Sequence, residues 1–200
     1  MIDTGKTGEF RYPVRSTYRD QDDVEFGLTP SQTVGPYVHI GLEVDGTEML
    51  VDKDDPNAVE VSFSVFDGDG APVADAMVEI WQADQDGKFN TDSVEGFRGL
   101  GRAMADETGT ARFTTIVPGG YEGEAPHLLV GVFARGILER LYTRLYFPED
   151  TAALEADPVL SQLDASRRPL LIAEARDGGY HLDIRLQDTD PAKETPFFSL

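Results

Sequence analysis

The sequence predicts an all-β fold, an antiparallel β-sandwich with an extended N-terminal arm and one short helix. Three observations carry that expectation. Apolar and polar residues alternate in several short runs, the period of a strand with one face buried. Clusters of Gly, Asp and Pro separate the runs and supply turn chemistry. Stretches with helical period are nearly missing, which favours sheet packed on sheet.

Residues 1–28 are polar and aperiodic, with Arg11, Arg15 and Arg19 beside Asp20, Asp22 and Asp23. They read as an arm, either disordered or laid along a partner, and residues 29–200 as one domain. Val59, Val61, Phe63 and Val65 alternate with Glu60, Ser62 and Ser64 before the turn Asp67-Gly68-Asp69-Gly70. A second strand is expected over residues 77–84, ended by Asp84-Gln85-Asp86-Gly87. A third covers 111–117 and stops at Pro118-Gly119-Gly120. Two more, 127–134 and 141–147, flank the turn at Arg135-Gly136. The helix is expected within 151–163, interrupted near Pro158. Tyr180, Leu182, Ile184 and Leu186 then alternate with His181, Asp183, Arg185 and Gln187 as a last strand.

Two hundred residues suit one domain with arms and leave ample chain for a core. The 37 acidic residues outnumber the 17 basic ones, for a formal net charge of -20. Nucleic acid and anionic membrane are therefore excluded as partners, because phosphate needs a basic face. An anionic small substrate would need local arginines to hold it against that field. With no cysteine, disulfides, thiolate zinc sites and a cysteine nucleophile are ruled out. No signal-like or membrane-spanning apolar run is present, so a soluble, cytoplasmic protein is expected.

The most telling pair is His127 and Leu129, which a strand would place on one face. A metal-chelating His-x-His would need a second imidazole where Leu129 stands. The only other histidines are His39 and His181. Trp81, the single tryptophan, reads as a core or interface anchor. The acidic turn at Asp106, Glu107 and Gly109 is too little on its own for calcium.

Seven segments in order resemble the intradiol ring-cleaving dioxygenases. They are Thr29-Pro30-Ser31-Gln32-Thr33-Val34-Gly35-Pro36-Tyr37, Val78-Glu79-Ile80-Trp81-Gln82-Ala83-Asp84 and Gly101-Arg102 with Asp106, Gly109 and Phe113. Thr115-Ile116-Val117-Pro118-Gly119, Ala125-Pro126-His127, Phe133-Ala134-Arg135-Gly136 and Thr143-Arg144-Leu145-Tyr146-Phe147-Pro148 complete the set. The family holds a non-haem Fe(III) with two tyrosinates and two histidines, and O2 cleaves a chelated catechol between its hydroxylated carbons. Carried over by position, the resemblance puts the tyrosine ligands at Phe89 and near Tyr121, and the histidines at His127 and Leu129. Two of the four cannot coordinate a metal, since neither Phe nor Leu carries a lone pair. An arginine of catalytic chains falls at Glu124 or a neighbour.

The resemblance thus implies the iron-free α chain of a two-chain member acting on protocatechuate. A homologous β subunit would carry the Fe(III), and αβ units would form a higher oligomer through arms such as 1–28 and the closing Pro196-Phe197-Phe198-Ser199-Leu200. It further implies that Thr33, Tyr37 and Arg135 complete the β chain's substrate pocket, with no catalytic group in this chain alone. Structural readings compete at each residue. His127 would be a satisfied core histidine, Tyr121 a turn tyrosine over a strand end, Tyr37 an arm anchor and Arg135 a hairpin cap. Two rival functions stand beside the leading one. One is a self-sufficient dioxygenase using Tyr121, His127 and two further ligands, and the other is a non-catalytic β-sandwich binding module.

Overall fold

A computed structural model of the chain describes residues 32–35, 37–89 and 96–199. The expected arm over residues 1–28 lies outside the described residues. Strand β1 (Val59–Phe66) follows its alternation, with Val61, Phe63 and Val65 fully buried. The remaining strands are β2 (Met77–Trp81), β3 (Leu100–Met104), β4 (Thr110–Thr115), β5 (His127–Phe133), β6 (Leu141–Tyr146), β7 (Glu174–Arg176) and β8 (Gly179–Arg185). They form two four-stranded sheets, ordered β4-β1-β8-β7 and β3-β2-β5-β6.

One continuous core lies between the sheets. Phe63 and Phe113 meet edge to face with centroids 5.9 Å apart, and Ile80, Val130, Leu145 and Ile184 pack around them. Burying each such side chain is worth roughly 1.5–3 kcal/mol. The β-sandwich expectation therefore holds, with three differences. The β1–β8 pair is parallel, so the first sheet is mixed and not antiparallel throughout. Two six-residue α-helices are present instead of one, α1 (Tyr37–Leu42) and α2 (Thr151–Ala156). The closing stretch packs on its own domain, where Phe198 N–H donates to Tyr142 O at 2.8 Å and Thr143 Oγ1 to Pro196 O at 2.8 Å. One backbone bond and one side-chain bond thus tie residues 196–198 to β6, and this stretch does not project from the domain.

Helix α2 begins where Asp150 accepts from Ala153 N–H at 2.9 Å, an N-cap, and ends at Asp157 before Pro158. Strand β3 needs Gly101, since a Cβ there would overlap the Leu50 side chain. Among the described residues no helix is long and apolar enough to cross a membrane.

Candidate functional site

The outer face of the β3-β2-β5-β6 sheet carries the expected ligand positions. His127 and Leu129 share that face of β5, and Leu129 sits between Trp81 on β2 and Arg144 on β6. Two loops bring Phe89 and Tyr121 to the same corner. Asp84 closes the first by accepting from Asp86 and Lys88 N–H at 3.0 and 2.9 Å. Its carbonyl then accepts from Gly119 N–H of the second loop at 2.8 Å. The loops approach this closely because Gly87, at φ +75°, has no Cβ to overlap the Gly120 carbonyl. The Phe89 ring lies 5.0 Å from Tyr121, edge to face, and 4.8 Å from Trp81.

His127 is 6% exposed and donates from Nδ1 to Ala125 O at 2.8 Å. A carbonyl can only accept, so a proton sits on Nδ1. Nε2 lies 3.4 Å from Glu124 Oε2, a contact that becomes an ion pair only when this nitrogen is protonated as well, and that carboxylate accepts from Arg144 Nη1 at 2.8 Å. Arg144 also donates to Tyr146 Oη at 3.0 Å, and Tyr146 donates to Asp157 Oδ1 at 3.2 Å. Asp157, fully buried, accepts further bonds from Ala125, Val159 and Leu160 N–H. Burial pushes the His127 pKa down, and Arg144 adds to this against Glu124 and Asp157. Glu122, hydrogen-bonded to Tyr121, raises that phenol's pKa.

These residues do not fit a ferric ion. Phe89 and Leu129 offer no donor atom, and Glu124 already engages Arg144. Among the described residues no group of three or more His, Cys, Asp or Glu is placed to hold a metal. The Glu124–Arg144–Asp157 network was not visible in the sequence, because its members meet only through tertiary packing. The Asp106 carboxylate is engaged within its own turn, accepting from Thr108 Oγ1 and Thr110 N–H and pairing with Arg112. Trp81 is 48% exposed, so it is a surface residue and not a core anchor.

Thr33 and Arg135 lie on segments joined elsewhere in the domain. Val34 N–H donates to Ile137 O at 3.1 Å, which joins the Thr33 segment to the turn that carries Arg135. Arg135 is tethered by Asp75 Oδ2 at 2.9 Å, and its side chain stays 82% exposed. Tyr37, at the start of α1, is 76% exposed. Arg135 lies beyond the Phe133 end of β5, while His127 begins the strand, about 20 Å of extended chain away.

Comparison with known proteins agrees with this architecture. A family model described as Dioxygenase matches residues 33–186. The protocatechuate 3,4-dioxygenase alpha chain of Burkholderia cepacia is 39% identical over 86% of this chain and 97% of its own length. The alpha chain from Pseudomonas putida is 36% identical over 85% and 95%. The B. cepacia beta chain is 31% identical over 89% of this chain and 82% of its own. Among solved structures, the dioxygenase domain of a carbohydrate-binding fusion from Streptomyces sp. SirexAA-E superposes with a TM-score of 0.53 at 27% identity, covering 80% of this chain and 99% of that one. With its sandwich fold, its ordered motifs and matches of this extent, the chain belongs to the intradiol ring-cleaving dioxygenase family.

Proposed function

We propose that this chain is the iron-free, α-type subunit of a protocatechuate 3,4-dioxygenase, paired with a homologous β-type chain that carries the Fe(III). The observation that carries the reading is the corner just described, where Phe89 and Leu129 stand at two ligand positions and Arg144–Glu124 faces His127 Nε2. The similarity to α chains in two species supports it. In this reading the complex inserts both atoms of O2 into 3,4-dihydroxybenzoate, giving 3-carboxy-cis,cis-muconate. The αβ units assemble further and act in the cytoplasm, in keeping with a chain that has no cysteine.

This chain's own part is recognition. Protocatechuate carries a carboxylate that a protein of net charge -20 repels. The Arg135 guanidinium offers a fixed fork of donors, and the Tyr37 and Thr33 hydroxyls can each donate one hydrogen bond. Their exposure in the single chain suits groups completed by a partner's pocket. The test is metal analysis and oxygen uptake, on the chain alone and co-expressed with its β-type partner. The lone chain should be colourless, with substoichiometric iron and no protocatechuate-dependent uptake, and the co-expressed complex coloured and active. One ferric ion per lone folded chain with a visible tyrosinate charge-transfer band would overturn the assignment in favour of a self-sufficient enzyme. A folded chain that never associates with the β-type partner would point to a binding module.

A further inference from the structure

The outer face of the other sheet carries a polar constellation that the dioxygenase reading does not use. In the register of that sheet, Ser62 on β1 lies directly between Arg112 on β4 and His181 on β8. Ser62 Oγ is 2.8 Å from His181 Nδ1, and His181 Nε2 is 3.0 Å from Asp183 Oδ1. A carboxylate can only accept, so His181 donates from Nε2 to Asp183. The Ser62 hydroxyl has two acceptors within reach, the Tyr180 carbonyl at 3.3 Å and, closer, His181 Nδ1 at 2.8 Å in the Nε2–H tautomer, whose ring a carboxylate orients from the far side.

The hydroxyl also opens onto space. Ser62, His181 and Arg112 line a cavity of about 360 Å³. A second cavity of about 250 Å³ shares Arg176 and His181 in its wall and takes in Asp183. His181 thus stands where two adjoining clefts meet, with Ser62 on one side and Asp183 on the other. Ser62 and His181 are 7% and 6% exposed, so this is not a chance pairing of mobile surface side chains.

We propose that Ser62, His181 and Asp183 form a hydrolytic site for small carboxylic esters, separate from the dioxygenase chemistry. Ser62 Oγ bonds to the ester carbonyl carbon while its proton passes to His181 Nδ1. Arg112, opposite Ser62 in the register and in the same cavity wall, pairs with Asp106 through Nη1 and would donate another N–H to the carbonyl oxygen as it gains negative charge. The tetrahedral adduct then releases the alcohol as the acyl–oxygen bond breaks, and His181 returns the proton to the leaving oxygen. Water, deprotonated through the same nitrogen, cleaves the acyl-serine and restores the site. Oxidation states do not change, and water is the only co-reactant. Asp183 acts through His181 as a positioning residue, fixing the Nε2–H tautomer.

The experiment uses the purified full-length protein with p-nitrophenyl acetate and a fluorophosphonate probe. Wild type should hydrolyse the ester with saturation, and the probe should add once, at Ser62 by peptide mapping. Ser62→Ala should abolish the adduct, and His181→Gln should lower kcat by about 100-fold. Asp183→Asn should lower kcat by about tenfold or more with KM unchanged, and should alter the pH–rate profile. Ser161→Ala, a remote exposed serine, should match wild type, and iron chelation should leave the hydrolysis intact. Circular dichroism and thermal melting confirm that each variant is folded. An absent adduct on folded wild type, an adduct at another residue, or equal hydrolysis by Ser62→Ala would each overturn the proposal.

Discussion

At the His127 end of β5, the polar atoms of the corner meet partners inside the chain, from the imidazole through Glu124 and Arg144 to Tyr146 and Asp157. At the opposite end, Arg135 pairs with Asp75 and its side chain stays 82% exposed. One strand thus separates a corner closed by an internal arginine–carboxylate network from an end that presents an exposed guanidinium. An arginine–carboxylate pair ties the His127 corner together. Groups left open at the surface suit a partner's pocket, so substitutions at the two ends should fail in different ways.

The largest effect is expected at Asp157. Its carboxylate accepts from Tyr146 Oη and from three backbone N–H groups at 2.8 to 2.9 Å, in a fully buried position. Asp157→Ala strands those donors, and each unsatisfied buried group costs about 1–3 kcal/mol. Urea unfolding should show a loss of about 3 kcal/mol or more, and a loss below about 1 kcal/mol would mean that the network is not what closes this corner.

Glu124 comes next. The Arg144 side chain is only 16% exposed, so Glu124→Ala leaves a largely buried guanidinium without its carboxylate and should cost about 2 kcal/mol. Replacing both partners with leucine should recover most of that loss, because well-packed apolar residues often match a buried ion pair. If the double variant were as unstable as the single one, the pair would be shaping the corner and not merely filling it.

Much of this architecture was legible, and the gaps have physical causes. The alternations at Val59–Phe66 and Gly179–Arg185 announced their strands, and Asp157-Pro158 announced the helix stop. Strand β3 escaped because Leu100–Met104 carries Gly101 and Arg102 in place of β-branched residues. Gly101 makes room for Leu50, and Arg102 pairs with the buried Glu79 on the neighbouring strand. The parallel β1–β8 pairing joins residues 119 positions apart, such as Ser62 and His181, beyond the reach of any local pattern. At the site, sequence reasoning singled out Phe89 and Leu129 from residue type alone, and the structure brings Phe89 beside Tyr121 and Trp81. The role of Asp157, by contrast, depends on Ala125 N–H, 32 positions away, and no sequence period encodes that.

For the exposed groups, Arg135→Ala and Tyr37→Phe should leave stability within about 0.5 kcal/mol of wild type, since exposed ion pairs contribute little. In the complex with the β-type chain, each should raise KM for protocatechuate about tenfold, the worth of one charge-assisted hydrogen bond. A catechol without the carboxylate should respond less. Equal effects on both substrates would indicate general damage, and unchanged KM for both would leave these two residues a structural role.

The smallest effect is a pH dependence peculiar to the closed end. In the unfolded chain His127 titrates near the ordinary value of 6.5, and burial depresses it in the fold. Between the depressed value and 6.5 the unfolded state therefore binds more protons than the folded one, so stability rises with pH across that window. Stability should be complete above the unfolded value and fall as pH drops through the window towards the depressed folded value. Asp106 does not blur this, because Thr108 and Arg112 hold its carboxyl well below the usual range and its contribution is lost only in stronger acid. His127→Gln, which cannot titrate but can still donate to the Ala125 carbonyl, should flatten the dependence of unfolding free energy between about pH 7 and 5. Arg135→Ala should leave the slope as it is. A slope unchanged in His127→Gln would mean that the imidazole takes up its proton as readily inside the corner as outside it. In that case Glu124 offsets the cost of burial, and the corner would be less tightly closed than its distances indicate.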